Sequence, residues 1–494
     1  MSQSVLKVVD VKKSFAGVQA LKGVSLDIEA GEIHCLAGEN GCGKSTLIKI
    51  ISGVYTPTAG HIEFGDKIYQ KISPIESIMN GVQVIYQDFS IFPNLSVIEN
   101  LAFNAELANK RKFVNRQRMK RIAEEAIAKI HFDVDLNAKV GSLSVASKQL
   151  VAICRALMFD AKLIIMDEPT TALTRKEVNA LFQIILDLKK QGIATLFVSH
   201  KLDEVFEISE RFTILRSGEK IITGTTSELD NKKFTYYMTG REFEDHPFEP
   251  KGLSKEPVLT ADGLSAQGFF EDVSFSLHKG EILGITGLLG SGRTELALSL
   301  FGMQHADKGT ITIDGQQVSL DTPEAAMKNG IGYVPEDRLS EGLFLPRSIG
   351  DNIVVSELEK LSNKLGVLDQ KKKKQEIARW VEELSIATPN PDNACSTLSG
   401  GNQQRIVLAK WLARDLKVLI LNGPTVGVDI GSKHDIHQIL RKLAEQGLGI
   451  IVISDDIPEI LANCSKVLIM RDGRISATLS PSGVDAQALS QYMM

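Results

Sequence analysis

The chain has 494 residues, a formal net charge of −5 at pH 7, and ordinary apolar (43%) and charged (24%) fractions. That length predicts more than one domain, and the slight acidic balance removes any global electrostatic case for nucleic-acid binding. Cys35, Cys42, Cys154, Cys395 and Cys464 are scattered and form no C-x-x-C pair, which excludes a zinc or disulfide framework and fits a reduced compartment. The opening MSQSVLKVVD lacks the apolar core and cleavage site of a signal peptide, and no apolar run approaches the roughly 20 residues of a spanning helix. A chain of this kind that works at a membrane is expected to borrow another subunit to cross it.

From the N-terminus, a β-rich start leads into the strand-like IHCLA, the turn GENGCGKS (Gly38–Ser45) and the helix-like STLIKIIS. A charged helical middle follows, and then the apolar runs LIIMD and ATLFVSH alternate with helices. Apolar strands separated by helices predict a mainly parallel, covered sheet. The whole series then returns. GVSLDIEAGEIHCLAGENGCGKST at 23–46 recurs as DVSFSLHKGEILGITGLLGSGRTE at 272–295, an offset of 249. KLIIMDEPT at 162–170 recurs as KVLILNGPT at 417–425, an offset of 255. Repeats of 20–50 residues would signal a solenoid; this spacing signals one domain duplicated and fused. The expected division is 1–242, a linker at 243–256 within the charged, three-proline seam REFEDHPFEPKGLSKEP, and 257–494.

Gly38–Ser45 fits G-x-x-x-x-G-K-[ST] between a strand and a helix, the context that makes this motif a phosphate cradle. Gly38, Glu39, Asn40, Gly41, Cys42, Gly43, Lys44, Ser45 and Thr46 are therefore the expected triphosphate contacts. Backbone N–H groups would surround phosphate oxygens, Lys44 would add a point charge, and Ser45 a hydroxyl to Mg²⁺. Cys42 stands where the loop needs a small residue, and alkylation there is expected to block ATP. At the end of LIIMDE, Asp167 can hold the Mg²⁺ shell, and Glu168 can orient or deprotonate the attacking water.

Together the phosphate loop, DEPT, LSGGNQQ and a strand-ending His make both halves resemble the nucleotide-binding domains of ABC transporters, along nearly the whole chain. The resemblance implies an α/β fold: tandem P-loop α/β cores, each with an antiparallel β subdomain and a helical subdomain. It also implies that Gln87 in IYQD senses the γ-phosphate, Mg²⁺ and the membrane partner. His200 would hold the γ-phosphate, and Phe15 would stack on adenine.

The offsets allow the copies to be compared. Phe15 maps to Leu264, Lys44 to Arg293, Gln87 to Glu336, Asp167 and Glu168 to Asn422 and Gly423, and His200 to Asp455. All six departures predict poor hydrolysis by the second copy. The signatures reverse this pattern: LSGGN (Leu398–Asn402) in the second copy is near the family's form, whereas LSVAS in the first puts Val145 and Ala146 at the glycine positions. In the family, two such domains close head to tail, each ATP lying between one phosphate loop and the other domain's signature. One competent site is then expected, joining Lys44, Ser45, Gln87, Asp167, Glu168 and His200 to Ser399, Gly400, Gly401 and Asn402. Asp429 would be lent to that site, and its counterpart Thr174 is not an acid.

LSVA, GLLGSGRTE, YVPEDR and LSGGNQQ resemble one branch in particular, the bacterial importers of ribose, galactose, arabinose, xylose and related molecules. That branch implies integral-membrane permease subunits, docked near Gln87 and Glu336, and a periplasmic substrate-binding protein. It also implies a peripheral position on the cytoplasmic face of the inner membrane. A soluble twin-cassette ATPase acting on ribosomes is the alternative class, but it would carry a long basic helical linker and intact carboxylates in both halves. The basic runs KRKFVNRQRMKR (110–121) and QKKKKQ (370–375) are each read as preceding a helix and forming a solvated face. Proximity to anionic lipid or to the permease is the sharper reading of these runs.

Overall fold

The computed structural model describes residues 4–493 apart from 16, 87–89, 109–114, 131–133, 171–172, 200, 244–246, 251–252, 255, 482–483 and 485, with backbone only at 104–108, 486, 487 and 490. The chain divides into two compact units, Met1–Glu242 and Phe243–Met494. Among the described residues no helix is long and apolar enough to cross a membrane.

In the first unit, Ser4–Phe15, Val18–Glu29, Ala59–Phe64 and Lys67–Tyr69 form a four-stranded antiparallel sheet. A six-stranded sheet runs in the order Glu219–Thr225, Arg211–Arg216, Ile33–Ala37, Ala194–Val198, Leu163–Asp167, Val82–Ile85, and only its first pair is antiparallel. Ile33–Ala37 and Ala194–Val198 are buried throughout, as central strands of a covered parallel sheet must be. The register sets Asp167 opposite Val198.

Helix Arg175–Lys190 shows how sequence dictates these elements. Thr174 and Glu177 form a capping box at its start. Val178, Leu181, Phe182, Ile185 and Leu188 recur at helical spacing and are all buried against the sheet. Gly192, at φ +78°, lies just beyond its end.

The second unit repeats the plan. Pro257–Ala266, Phe270–His278, Lys308–Ile313 and Gln316–Val318 form its antiparallel sheet. Ile331–Val334, Val418–Asn422, Gly449–Ile453, Ile282–Gly287, Lys466–Arg471 and Arg474–Leu479 follow one another in its larger sheet. Part of the prolines' seam packs onto this unit: Phe248 is buried, its N–H donates to the Ala462 carbonyl at 2.9 Å, and the Phe243 ring lies 4.1 Å from that of His434.

The lysine run at 370–375 does not precede its helix. Helix Gln370–Glu383 starts at Gln370, with Asp369 accepting from the Lys371 and Lys372 amides at 3.0 and 3.1 Å. Lysines in a first turn oppose the helix dipole, and an N-cap carboxylate offsets that. In the other basic run, residues 110–114 lie outside the described set, and helix Arg116–Ala128 starts within the remainder.

Candidate phosphate-binding sites in the two halves

The Ile33–Ala37 strand delivers the phosphate loop, and helix Lys44–Ile51 leaves it with Gly43 in the left-handed region at its N-cap. No side chain caps this helix, so its first N–H groups remain for an anion. Lys44 is buried, and its ammonium donates to the Gly38 carbonyl at 2.6 Å and the Glu39 carbonyl at 3.0 Å. Ser45 is exposed beside it, with Thr46 half-buried. Phe15, 39% exposed, meets Tyr55 edge-on at 5.3 Å, and Lys13 Nζ lies over its ring at 5.1 Å from the centre.

Cys42 corrects the sequence expectation. Its side chain is buried, with Sγ 3.9 Å from the Lys44 Nζ, and burial pushes its thiol pKa up. A buried thiol held protonated is a slow target for alkylation, so ATP-protected inhibition by maleimide is not expected of this loop.

Asp167 and Glu168 end the Leu163–Asp167 strand, half-buried. Burial first, and then repulsion from Glu168, raise the Asp167 pKa, opposed by Lys44 and Lys49. An oxygen site in this condition favours a divalent cation, and Ser45 supplies the matching hydroxyl. Among the described residues no cluster of three His, Cys, Asp or Glu could hold a metal alone. A Mg²⁺ carried on a triphosphate needs only one or two protein oxygens, so this donor set fits it. Gln87 and His200 lie outside the described residues.

Glu168 sits at φ +48°. Eight other non-glycine residues among those described have positive φ, and every one is Asp or Ser. Asp tolerates this region through local hydrogen bonds, whereas a left-handed Glu costs roughly 1–2 kcal/mol. The conformation is imposed by its surroundings.

In the second half the matching positions are occupied by partners of their own. Arg293 donates to the Gly287 carbonyl at 2.8 Å, as Lys44 does to Gly38, and lies 3.6 Å from the exposed Asp455, so the residues replacing Lys44 and His200 face each other as a solvent-screened ion pair. Asn422 is buried beside the side chain of Tyr333. Gly423, at φ +59°, relaxes the turn that Glu168 strains. Leu264 is buried in the core, where it offers no stacking surface, although Phe269 nearby is exposed. A Cβ at Gly423 would meet Val426 Cγ2 at 2.8 Å and Glu336 Cγ at 3.2 Å. Gly423→Glu is therefore expected to lower stability by about 1–2 kcal/mol, and, even combined with Asn422→Asp, to add no ATP turnover. Chemical denaturation and a steady-state ATPase assay of both variants check this.

The signatures differ at their helix starts. In the first half, Ser144 caps helix Val145–Ala156 by accepting from the Ser147 N–H at 3.2 Å. In the second, Ser399 makes no capping bond to helix Gly400–Leu412; its hydroxyl instead accepts from Asn402 Nδ2 at 3.0 Å, while Asn402 Oδ1 accepts from the Ala387 N–H at 2.7 Å. The helix N-terminus of the second signature is thus left open. Its glycines also have a packing reason: a Cβ at Gly401 would collide with Ser432 Oγ, and one at Gly400 would meet Arg338 Nη2 at 2.7 Å. Arg338, in YVPEDR, donates to the Val426 and Gly427 carbonyls at 2.5 and 3.1 Å and so fixes the loop behind the signature. Asp429 is a helix cap, accepting from the Ser432 N–H at 2.9 Å, and Thr174 does the same for its own helix. Each residue thus fixes the start of the helix that follows its own loop.

Sequence reasoning missed two buried carboxylates. Glu204 accepts from Thr170 Oγ1 and Ser199 Oγ, each at 2.6 Å. Glu459 accepts from Thr425 at 2.7 Å, Ser454 at 2.6 Å and His437 at 2.8 Å. The 255 offset relates Glu204, Thr170 and Ser199 to Glu459, Thr425 and Ser454, which was the available signal. Burial raises the Glu459 pKa, but His437, Lys433 and Ser454 outweigh it and bring the value to about 2. A depressed folded-state pKa contributes stability above the unfolded value near 4.5, lost as pH falls towards about 2. Glu459→Gln is expected to be less stable at pH 7, with the difference closing between about pH 4.5 and 2. Urea melts across that range measure it.

The ABC transporter family profile matches residues 21–171 and 270–426. A putative ribose/galactose/methyl galactoside import ATP-binding protein of Agrobacterium fabrum is 40% identical over 99% of this chain and 97% of its own. The ribose import ATP-binding proteins RbsA of Bacillus licheniformis and Bacillus subtilis are 39% and 38% identical, each over 96% of both chains. Among solved structures, an ATP-binding cassette of an ABC transporter in its ADP conformation is 26% identical, covering 48% of this chain and 94% of that one at a TM-score of 0.43. With the profile met in both halves and relatives aligned end to end, this chain belongs to the ABC transporter family, an ATPase made of two fused ATP-binding cassettes.

Proposed function

We propose that this ATPase powers import of a sugar or sugar-like small molecule through integral-membrane permease subunits, fed by a periplasmic substrate-binding protein, from the cytoplasmic face of the inner membrane. The names of relatives similar along the whole chain support the solute class. We further propose that hydrolysis is confined to one composite site. Lys44, Ser45, Asp167, Glu168, Gln87 and His200 of the first half grip Mg-ATP, with Phe15 on the adenine, and the second signature, Ser399–Asn402, caps the γ-phosphate. Ser45 and Asp167 would hold the Mg²⁺, which would supply charge neutralisation at the phosphates. Glu168 orients the water and accepts its proton.

The observation that carries this reading is the charge the second half presents. Asp455 faces Arg293 where the first half has His200, and Asn422 and Gly423 stand where it has Asp167 and Glu168, so a phosphate would meet a negative charge and a metal would find no carboxylate. The test is reconstitution with the permease pair in vesicles. ATP-dependent uptake of a pentose or hexose is expected, with the variant Arg293→Ala retaining most of it. Uptake abolished by Arg293→Ala would overturn the single-site assignment, and ATP hydrolysis uncoupled from every sugar tested would overturn the solute class.

A further inference from the structure

The strained Glu168 raises the question of what holds it. Its N–H donates to the Val198 carbonyl at 3.1 Å, tying the end of one strand to the last residue of the next. Two residues on, Thr170 is buried and donates to Glu204 Oε1; one residue beyond Val198, buried Ser199 donates to Glu204 Oε2. Lys201 Nζ, 3.1 Å from the same carboxylate, balances its charge. The Lys201 N–H also donates to Ser199 Oγ at 3.0 Å. One buried carboxylate therefore bridges the loops leaving two neighbouring strands, with Glu168 between its attachment points.

We propose that Glu204 is a positioning residue for ATP hydrolysis, stapling Thr170 to Ser199 so that the backbone of Glu168 stays left-handed and aimed at the attacking water. A strained residue persists only where its surroundings over-determine it, and these ties supply that constraint. Helix packing alone does not require the arrangement. A buried carboxylate accepting two hydroxyls and a lysine is costly to desolvate, and an apolar side chain would fill the space without that cost. The second half repeats the staple with His437 in place of the lysine, and there it holds Thr425 at the base of the loop that Arg338 grips. The device thus sets loop geometry in both halves, and only the first has a reacting group to aim.

The proposal rests on Glu168 as the water-activating group, and its test separates the two ideas. In the full-length chain, Glu204→Gln and Thr170→Val are each expected to lower kcat about tenfold while leaving ATP affinity within about twofold. Thr170→Ser, which restores the hydroxyl, is expected to recover most of the rate. The pair Glu204→Gln with Thr170→Val should be no slower than the worse single variant, because both cut one staple. Ser199→Ala, removing one bond and little volume, stands in should Glu204→Gln fail to fold. Three results would overturn the staple: kcat within about twofold of the unaltered chain in these variants, equal losses of kcat and ATP affinity, or a Thr170→Ser variant as slow as Thr170→Val. Glu168→Gln measured alongside locates the failure. If it is inactive while the staple variants are normal, only the staple falls; if it keeps its rate, the role of Glu168 falls and the staple with it.

Discussion

Glu168→Gln is expected to reduce ATP turnover by about a hundredfold or more, with nucleotide binding retained. The substitution keeps size and hydrogen bonding but removes the group able to accept a proton from water. It also removes the negative charge that helps to raise the Asp167 pKa. Losing a negative charge beside the triphosphate site lowers repulsion of ATP, so nucleotide affinity should hold or rise slightly. A pure binding defect would show the reverse, a higher KM at unchanged kcat. Steady-state hydrolysis together with equilibrium binding of a fluorescent ATP analogue separates the two. The second half has Gly423 at this position and Asn422 before it, so nothing there can replace the lost base. Turnover above about a tenth of the unaltered rate would mean that hydrolysis does not depend on this carboxylate.

Gly400→Asp tests the other contribution, and its effect is expected to be of similar size, about a hundredfold in kcat/KM. Any Cβ here approaches Arg338 Nη2 at 2.7 Å, the flexible end of a side chain. A carboxylate at this point can pair with that guanidinium and with the uncapped helix N-terminus, both positive, so the fold should survive. On the proposed composite site, the same carboxylate would put a negative charge where the cap meets a phosphate, and closure on ATP is expected to fail. Val145→Asp in the first signature supplies the contrast: Ser144 already caps that helix, and turnover should change less than about threefold. Equal losses from the two variants would mean that both signatures serve working sites. Melting curves of each variant separate loss of closure from loss of fold.

Much of this was legible in one dimension. The glycines and lysine of GENGCGKS work through contiguous backbone N–H groups, so the motif and its flanking strand and helix state their use locally. The strand ending in Asp167 and Glu168 is readable for the same reason: an unbroken apolar run stops where the carboxylates emerge. Repetition made the comparison of halves possible, and it required no coordinates because both copies keep one order of elements.

What remained illegible were partnerships between distant segments. Arg293 meets Asp455 only because parallel pairing sets the Ile282–Gly287 and Gly449–Ile453 strands side by side. Sequence alone counted these as two separate losses, whereas the fold brings the two side chains together. Asp429 is in addition the cap of its own helix, and Cys42 read as accessible until the loop closed over it. The glycines of LSGGN likewise fit tightly against their own unit, through Arg338 and Ser432, before any phosphate is considered.

The sequence by itself determined the duplicated architecture, the phosphate cradle and the half that kept its carboxylates, since each is a property of neighbouring residues. Only the tertiary structure decided which charges are already matched, which helix start stays open, and what holds Glu168 in a conformation its own chemistry disfavours. Those outcomes depend on distances of a few ångströms between side chains far apart in the chain, and burial makes hydrogen bonds at such distances strong enough to dictate where each group points.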